Sequence, residues 1–138
     1  LLVHNCTITT SDIEILTSHF SAPISCVLCP RSNAYISGME PRSVELLRKA
    51  GNNINICIGT DSLASNWSLS VIEELRQFKN IPLAELLQWA TINGAKALGI
   101  DDMYGTIEPG KRSGIVCLTG VDLENFTLTA SAKATRVL

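Results

Sequence analysis

The sequence predicts an α/β fold, and three observations carry that reading. A short apolar run, a polar stretch and a segment with helical periodicity follow one another, and the unit recurs at roughly 30-residue spacing. The strand-like runs are short and apolar, which with interleaved helices predicts a parallel sheet with right-handed crossovers. After Gly99 the pattern changes to Gly105, Pro109 and Gly110 and then to strand-like residues, as in a small β domain.

The elements follow in order. Leu1-Leu2-Val3 is an apolar run ending at His4. Ser11 to Glu14 has the S-x-x-E form of a capping box, and Ile13, Leu16 and Phe20 at helical spacing predict a helix from Asp12 to Phe20. Ile24 to Cys29 reads as a strand stopped by Pro30. Val44, Leu46 and Leu47 give the next helix its apolar face, and Gly51 ends it. Ile54 to Ile58 reads as a strand that breaks at Gly59-Thr60-Asp61. Ser68 is placed to cap a helix with Leu69, Val71, Ile72 and Leu75 turned inward, and Pro82 opens another through Leu83, Leu86, Leu87 and Ala90. Ile115 to Leu118 and an alternating stretch around Phe126 to Ala130 supply the last strands.

Composition narrows the function classes. Apolar residues make up 46% of the 138, enough for a core, and charged residues 17%. The 11 basic and 13 acidic residues leave a formal net charge of −2 with no basic cluster to neutralise phosphates, so nucleic acid is a poor partner. No apolar stretch approaches the roughly 20 residues that cross a bilayer, and a cytoplasmic protein is expected. Five cysteines, an odd number, fit a reducing compartment. Cys26 and Cys29 have C-x-x-C spacing, but on a strand residues three apart point to opposite faces, so buried unreactive thiols are the expectation over a metal or redox pair.

Three β-α units are too few for a closed barrel, which needs eight and about 250 residues, so the chain reads as a fragment. In α/β barrels chemistry gathers at the C-terminal ends of strands. That directs attention to His4, to Pro30-Arg31-Ser32-Asn33 and to Asp61. On residues alone Asp61 could approach an ion or bond its own loop, and His4 could be catalytic or a satisfied strand-end histidine. His19, on a helix, reads as solvated.

Five segments, in order and spacing, resemble one family. They are residues 1–6 (LLVHNC), 29–33 (CPRSN), 59–66 (GTDSLASN), 91–99 (TINGAKALG) and 105–111 (GTIEPGK). Together they resemble the branch of the amidohydrolase superfamily that holds S-adenosylhomocysteine deaminase, guanine deaminase and the triazine chlorohydrolases. The resemblance implies the C-terminal portion of a (β/α)8 barrel, strands six to eight with their helices, over residues 1–104, and part of a small β-sandwich over residues 105–138.

It also implies residue roles. Asp61 matches the aspartate after the eighth strand, which in the family binds one divalent metal, zinc or iron, and takes a proton from the attacking water. His4 matches the histidine after the sixth strand, which hydrogen-bonds that water or the developing tetrahedral centre. Asn33, Ser62 and Ser65 lie in loops where relatives contact substrate, with capping or loop hydrogen bonding as the other reading. The chemistry is consistent: a divalent ion lowers the pKa of water towards ~7 and a carboxylate moves its proton.

The family's H-x-H after the first strand, its fifth-strand histidine and the H-x-x-E glutamate are absent, so the remaining metal ligands are expected outside this chain. Residues 111–115 also depart, with Lys111-Arg112-Ser113 where relatives usually carry an aspartate before the strand. The resulting expectation is a metal-dependent hydrolase of C–N or C–Cl bonds in a heterocycle, foremost a deaminase, with this chain inactive alone. The alternatives are a cyclic amidohydrolase, which H-x-x-E upstream would argue against, and a non-catalytic binding module. The expected partner is a small heterocyclic substrate, with no nucleic acid or membrane, in a full-length homo-oligomer.

Overall fold

The computed structural model describes residues 1–38, 43–112 and 114–138. Ser113, in the segment that departs from the family pattern, lies outside the described residues. The chain divides into two compact units, Leu1–Leu69 and Ser70–Leu138.

The first unit holds a three-stranded parallel sheet in the order β1-β2-β3, from β1 (Leu2–Val3), β2 (Ile24–Leu28) and β3 (Ile54–Ile58). The third strand falls where its apolar run predicts. The second ends one residue early, because Cys29 turns out of the ladder to precede helix α2 (Pro30–Ser37). Register pairs Leu2 with Cys26, Cys26 with Ile56, and Leu28 with Ile58. Residues two apart share a face, so Cys26, Leu28, Ile54 and Ile56 lie together, all buried. The opposite face carries Ser25 and Asn55, where Asn55 Nδ2 donates to Ser25 Oγ at 3.0 Å.

Several helix expectations change in detail. Helix α1 runs Thr10–His19, and its capping box is Thr9 with Asp12 rather than Ser11 with Glu14. Thr9 Oγ1 accepts from Asp12 N–H at 3.2 Å, while the Asp12 carboxylate accepts from Thr9 N–H at 2.8 Å. Both T-x-x-D and S-x-x-E can close a box, and the earlier one ends the loop from β1 sooner. Phe20, expected on the apolar face, is exposed at the C-cap. Helix α2 was not expected, because Pro30 read as a strand stop; it is the first helical residue, where its missing N–H costs nothing. Helix α3 (Val44–Lys49) buries Val44 and Leu47 against the sheet, and Gly51 follows at φ 60°, as its position after the helix predicts.

The second unit contains α4 (Val71–Leu75), α5 (Leu83–Ala90), α6 (Ile92–Leu98) and a two-stranded antiparallel sheet of β4 (Val116–Asp122) and β5 (Thr127–Arg136). Ile72 and Leu75 are buried as expected, whereas Leu69 and Val71 are exposed. Ser70 rather than Ser68 precedes α4, without a side-chain cap, so Leu69 falls outside the helix. Phe78 and Trp89 meet edge to face, 5.7 Å between centroids, within a core that includes Leu83 and Leu86. Among the described residues no helix is long and apolar enough to cross a membrane.

Candidate active site

Parallel strands that are neighbours in the sheet deliver their C-terminal ends to one edge, and the polar residues after β1, β2 and β3 meet there. His4 follows β1 directly, its N–H bonded to the Val27 carbonyl at 2.9 Å. It stands at the centre of a three-residue turn closed by Asn5 N–H to the Val3 carbonyl at 3.0 Å, with φ 70°. Asp61, three residues after β3, has φ 58°. Left-handed backbone at residues other than glycine typically costs about 1–3 kcal/mol and gathers where the surroundings over-determine a site.

Gly59 makes the approach of the third strand's end possible. A Cβ there would stand 2.9 Å from Val27 Cγ1 and 3.2 Å from Cys29 Sγ, inside van der Waals contact. Its N–H donates to the Leu28 carbonyl at 3.0 Å, which extends the ladder one residue past β3.

The Asp61 carboxylate is held from two elements. Ser32 Oγ, in the first turn of α2, donates to Oδ2 at 2.7 Å, and Ser65 Oγ donates to the same oxygen at 2.8 Å. The two hydroxyl oxygens are 2.9 Å apart, so the three groups form a triangle. Ser32 is fully buried and Ser65 nearly so. These hydroxyls, Ser32 first and then Ser65, hold the Asp61 carboxyl below the usual carboxylate range, with smaller help from the Ser62 backbone N–H and from His4 and a small opposing push from burial. The carboxylate form is favoured because each donor stabilises negative charge.

His4 Nε2 lies 3.9 Å from Asp61 Oδ2, too long for a hydrogen bond. Its other nitrogen, Nδ1, is 2.8 Å from Asn33 Oδ1. Of the other residues singled out in sequence, Ser62 is exposed and its Oγ accepts from Ala64 N–H at 3.3 Å. Ser65 also reaches the Ser62 carbonyl at 3.4 Å. Asn66 Nδ2 ties the loop down by donating to the Thr60 carbonyl at 2.8 Å. His19 is exposed, with Nδ1 2.8 Å from the Ile15 carbonyl.

The structure thus sets two hydrogen-bonded groups side by side, His4 with Asn33 and Asp61 with Ser65, 3.9 Å apart at their nearest ring nitrogen and carboxylate oxygen, and leaves Ser62 exposed. Sequence reasoning missed Ser32. Its one signal was its place directly after a strand end, in a segment whose asparagine drew the attention. Cys26, Cys29 and Cys57 are buried and form no disulfide, and burial pushes the Cys57 thiol up to about 11, with Cys26 adding to the shift.

Among the described residues no group of three or more His, Cys, Asp or Glu converges on one point. A catalytic zinc typically takes three protein ligands. The donors present fit one corner of such a site: an ionised, partly exposed carboxylate on a rigid support, with an imidazole beside it.

Comparison with known proteins identifies the family of the chain. The chain is 31% identical over 133 residues to a 5-methylthioadenosine/S-adenosylhomocysteine deaminase of Teredinibacter turnerae, covering 88% of the chain and 29% of that protein. It is 39% identical over 127 residues to the enzyme of that name from Thermoanaerobacter pseudethanolicus, covering 83% of the chain and 28% of the relative. A solved adenosine deaminase from Xanthomonas campestris with bound zinc superposes with a TM-score of 0.70 at 31% identity, over 84% of this chain and 28% of that one. The chain therefore spans less than a third of the length of these relatives. The amidohydrolase family pattern matches residues 1–137, and the chain belongs to the amidohydrolase family.

Proposed function

We propose that the chain is the C-terminal part of a hydrolytic deaminase that releases ammonia from an amino-substituted heterocycle, with a nucleoside of the adenosine type as the foremost substrate class. The observation that carries this reading is the pairing at the sheet edge. Asp61 is fixed by two serine hydroxyls and His4 is turned towards it, each on left-handed backbone, 3.9 Å apart. An oxygen atom about 2.8 Å from each would contact both. The deaminases similar to this chain support the reaction class.

In this reading Asp61 is both a metal ligand and the acceptor of the attacking water's proton. A divalent ion, zinc or iron, would supply the Lewis acidity that lowers the water's pKa towards ~7. Asp61 then holds the proton and returns it to the departing nitrogen, and His4 orients the attacking water by accepting its second O–H. Ser62, exposed beside the carboxylate, is placed to meet substrate directly, while Ser65 acts through Asp61 and Asn33 stands behind His4. Residues 1–104 belong to the barrel and residues 105–138 to the sandwich, and the other metal ligands come from outside this chain. The proposal includes a cytoplasmic, homo-oligomeric enzyme, and inactivity of the 138-residue chain alone.

The test is ammonia release by the full-length, metal-loaded protein from adenosine, 5-methylthioadenosine, S-adenosylhomocysteine and guanine. Turnover of at least one supports the proposal. Failure on all four at full metal content, with hydrolysis of a cyclic amide or a chlorotriazine instead, would replace it.

A further inference from the structure

We propose that Asn33 is a positioning residue that sets the tautomer of His4. Its Oδ1 accepts a hydrogen bond from His4 Nδ1–H, so that Nε2 turns a lone pair, not a proton, towards Asp61. The inference rests on the proposed catalytic site for its consequence, though not for its geometry.

A neutral imidazole carries one N–H, and the partner of one nitrogen decides what the other presents. His4 Nδ1 lies 2.8 Å from Asn33 Oδ1, and an amide oxygen can only accept, so the ring proton belongs on Nδ1. Nε2, the nitrogen 3.9 Å from Asp61 Oδ2, is then an acceptor. Two acceptors that far apart match the two O–H donors of one water molecule. With the other tautomer, Nε2–H would instead point at the carboxylate and compete for it.

Asn33 is built to hold that position. It is 3% exposed, its N–H donates to the Cys29 carbonyl at 2.9 Å, and Ser37 Oγ donates to its carbonyl at 2.9 Å. The opposite side of the contact is equally fixed, by the turn around His4 and the bond from its N–H to Val27. Asn33 Nδ2 is buried without a partner among the described residues. An orphaned amide donor typically costs about 1–3 kcal/mol, and a residue chosen for packing alone would shed that cost as leucine. The retained amide is explained by what its oxygen does for His4. The chain contains one other histidine, His19, exposed on α1, which serves as an internal reference.

The experiment uses the full-length protein labelled with 15N at histidine side chains, the His4 signals being assigned by their loss in His4→Gln. Wild type is expected to show a protonated Nδ1 and an unprotonated Nε2 in the neutral ring. Asn33→Asp, which keeps the acceptor, should preserve that pattern, and Asn33→Leu should move the proton to Nε2. On a substrate found in the ammonia assay, Asn33→Leu should lower kcat about 10-fold or more at unchanged metal content, with KM within about threefold, while Asn33→Asp stays within about threefold of wild type in kcat. A role in packing alone reverses this order, because leucine fills the site and aspartate buries a charge. Nε2–H in wild type, or a leucine variant with an unmoved proton, overturns the inference; should the leucine variant fail to fold, the wild-type and aspartate spectra decide. The expected spectra without turnover of any of the four amines would sink the deaminase reading and leave the tautomer assignment standing.

Discussion

The two sheets of this chain treat their polar residues in opposite ways. In the first unit, parallel strands bury Cys26, Leu28, Ile54 and Ile56, and polar groups collect at one edge, where His4 and Asp61 sit on strained backbone. In the second, β4 and β5 form an antiparallel pair with exposed residues along most of its length, and its turn carries Leu123 and Phe126 at 74% and 65% exposure. Antiparallel neighbours send alternate ends to opposite edges, so no edge of such a pair gathers the residues that follow every strand. The parallel sheet does so by construction, and its buried face supplies rigidity beneath the edge where His4, Asn5 and Asp61 have left-handed backbone.

The largest effect expected from breaking that contrast is on rate. Asp61→Asn in the full-length enzyme should lower kcat about 10²–10⁴-fold, far more than it changes KM, since asparagine cannot take up the proton. Steady-state kinetics with metal content measured in parallel checks this. A variant that kept its metal and a tenth of wild-type kcat would remove Asp61 from its role.

Stability should separate the units next. Leu28→Ala, at a fully buried position, is expected to cost about 2–5 kcal/mol, whereas Leu123→Ala in the exposed turn should stay within about 0.5 kcal/mol. Denaturant midpoints of both variants make the comparison, and equal shifts would show that the hairpin turn is covered in the folded protein. Gly59→Ala tests the close approach at the edge. The added methyl meets Val27 and Cys29, so a loss of about 1–3 kcal/mol is expected, and an unchanged midpoint would mean that β2 and β3 can part at their ends without penalty.

The smallest effect lies at the start of α1. The Thr9 hydroxyl and backbone N–H lower the Asp12 pKa, so the folded state binds that proton less readily than the unfolded chain. The stabilisation is therefore present above the unfolded value of about 3.9 and is lost as pH falls through the lower folded value. Asp12→Ala should be less stable than wild type at neutral pH and indistinguishable from it in strong acid, as read from unfolding curves at both. A gap that persisted unchanged in acid would assign the effect to packing instead.

Much of the scaffold could be read from local pattern. Ile54–Ile58 forms a strand where five residues of apolar pattern end at a glycine, and Gly51 follows its helix in the left-handed conformation. The failures share a cause. Pro30 has the same residue identity whether it stops a strand or starts a helix, and only the chain turning back over the sheet selects the second. Ser68 and Ser70 are equally good caps in isolation. The Arg31 guanidinium takes the Ser68 hydroxyl at 2.9 Å, and the helix begins later.

The sequence by itself determined the α/β class, the positions of the first sheet's strands along the chain and the placement of His4 and Asp61 just beyond strand ends, because those features depend on periodicity and turn chemistry within about ten residues. The tertiary structure alone decided that Ser32 and Ser65 share one oxygen of Asp61, that Asn33 faces Nδ1 of His4, and that Nε2 comes within 3.9 Å of the carboxylate. The residues in these contacts lie 29 positions apart for Ser32 with Asp61 and again for His4 with Asn33. No local pattern encodes such pairs; the register of three parallel strands and the left-handed turns at their ends set them.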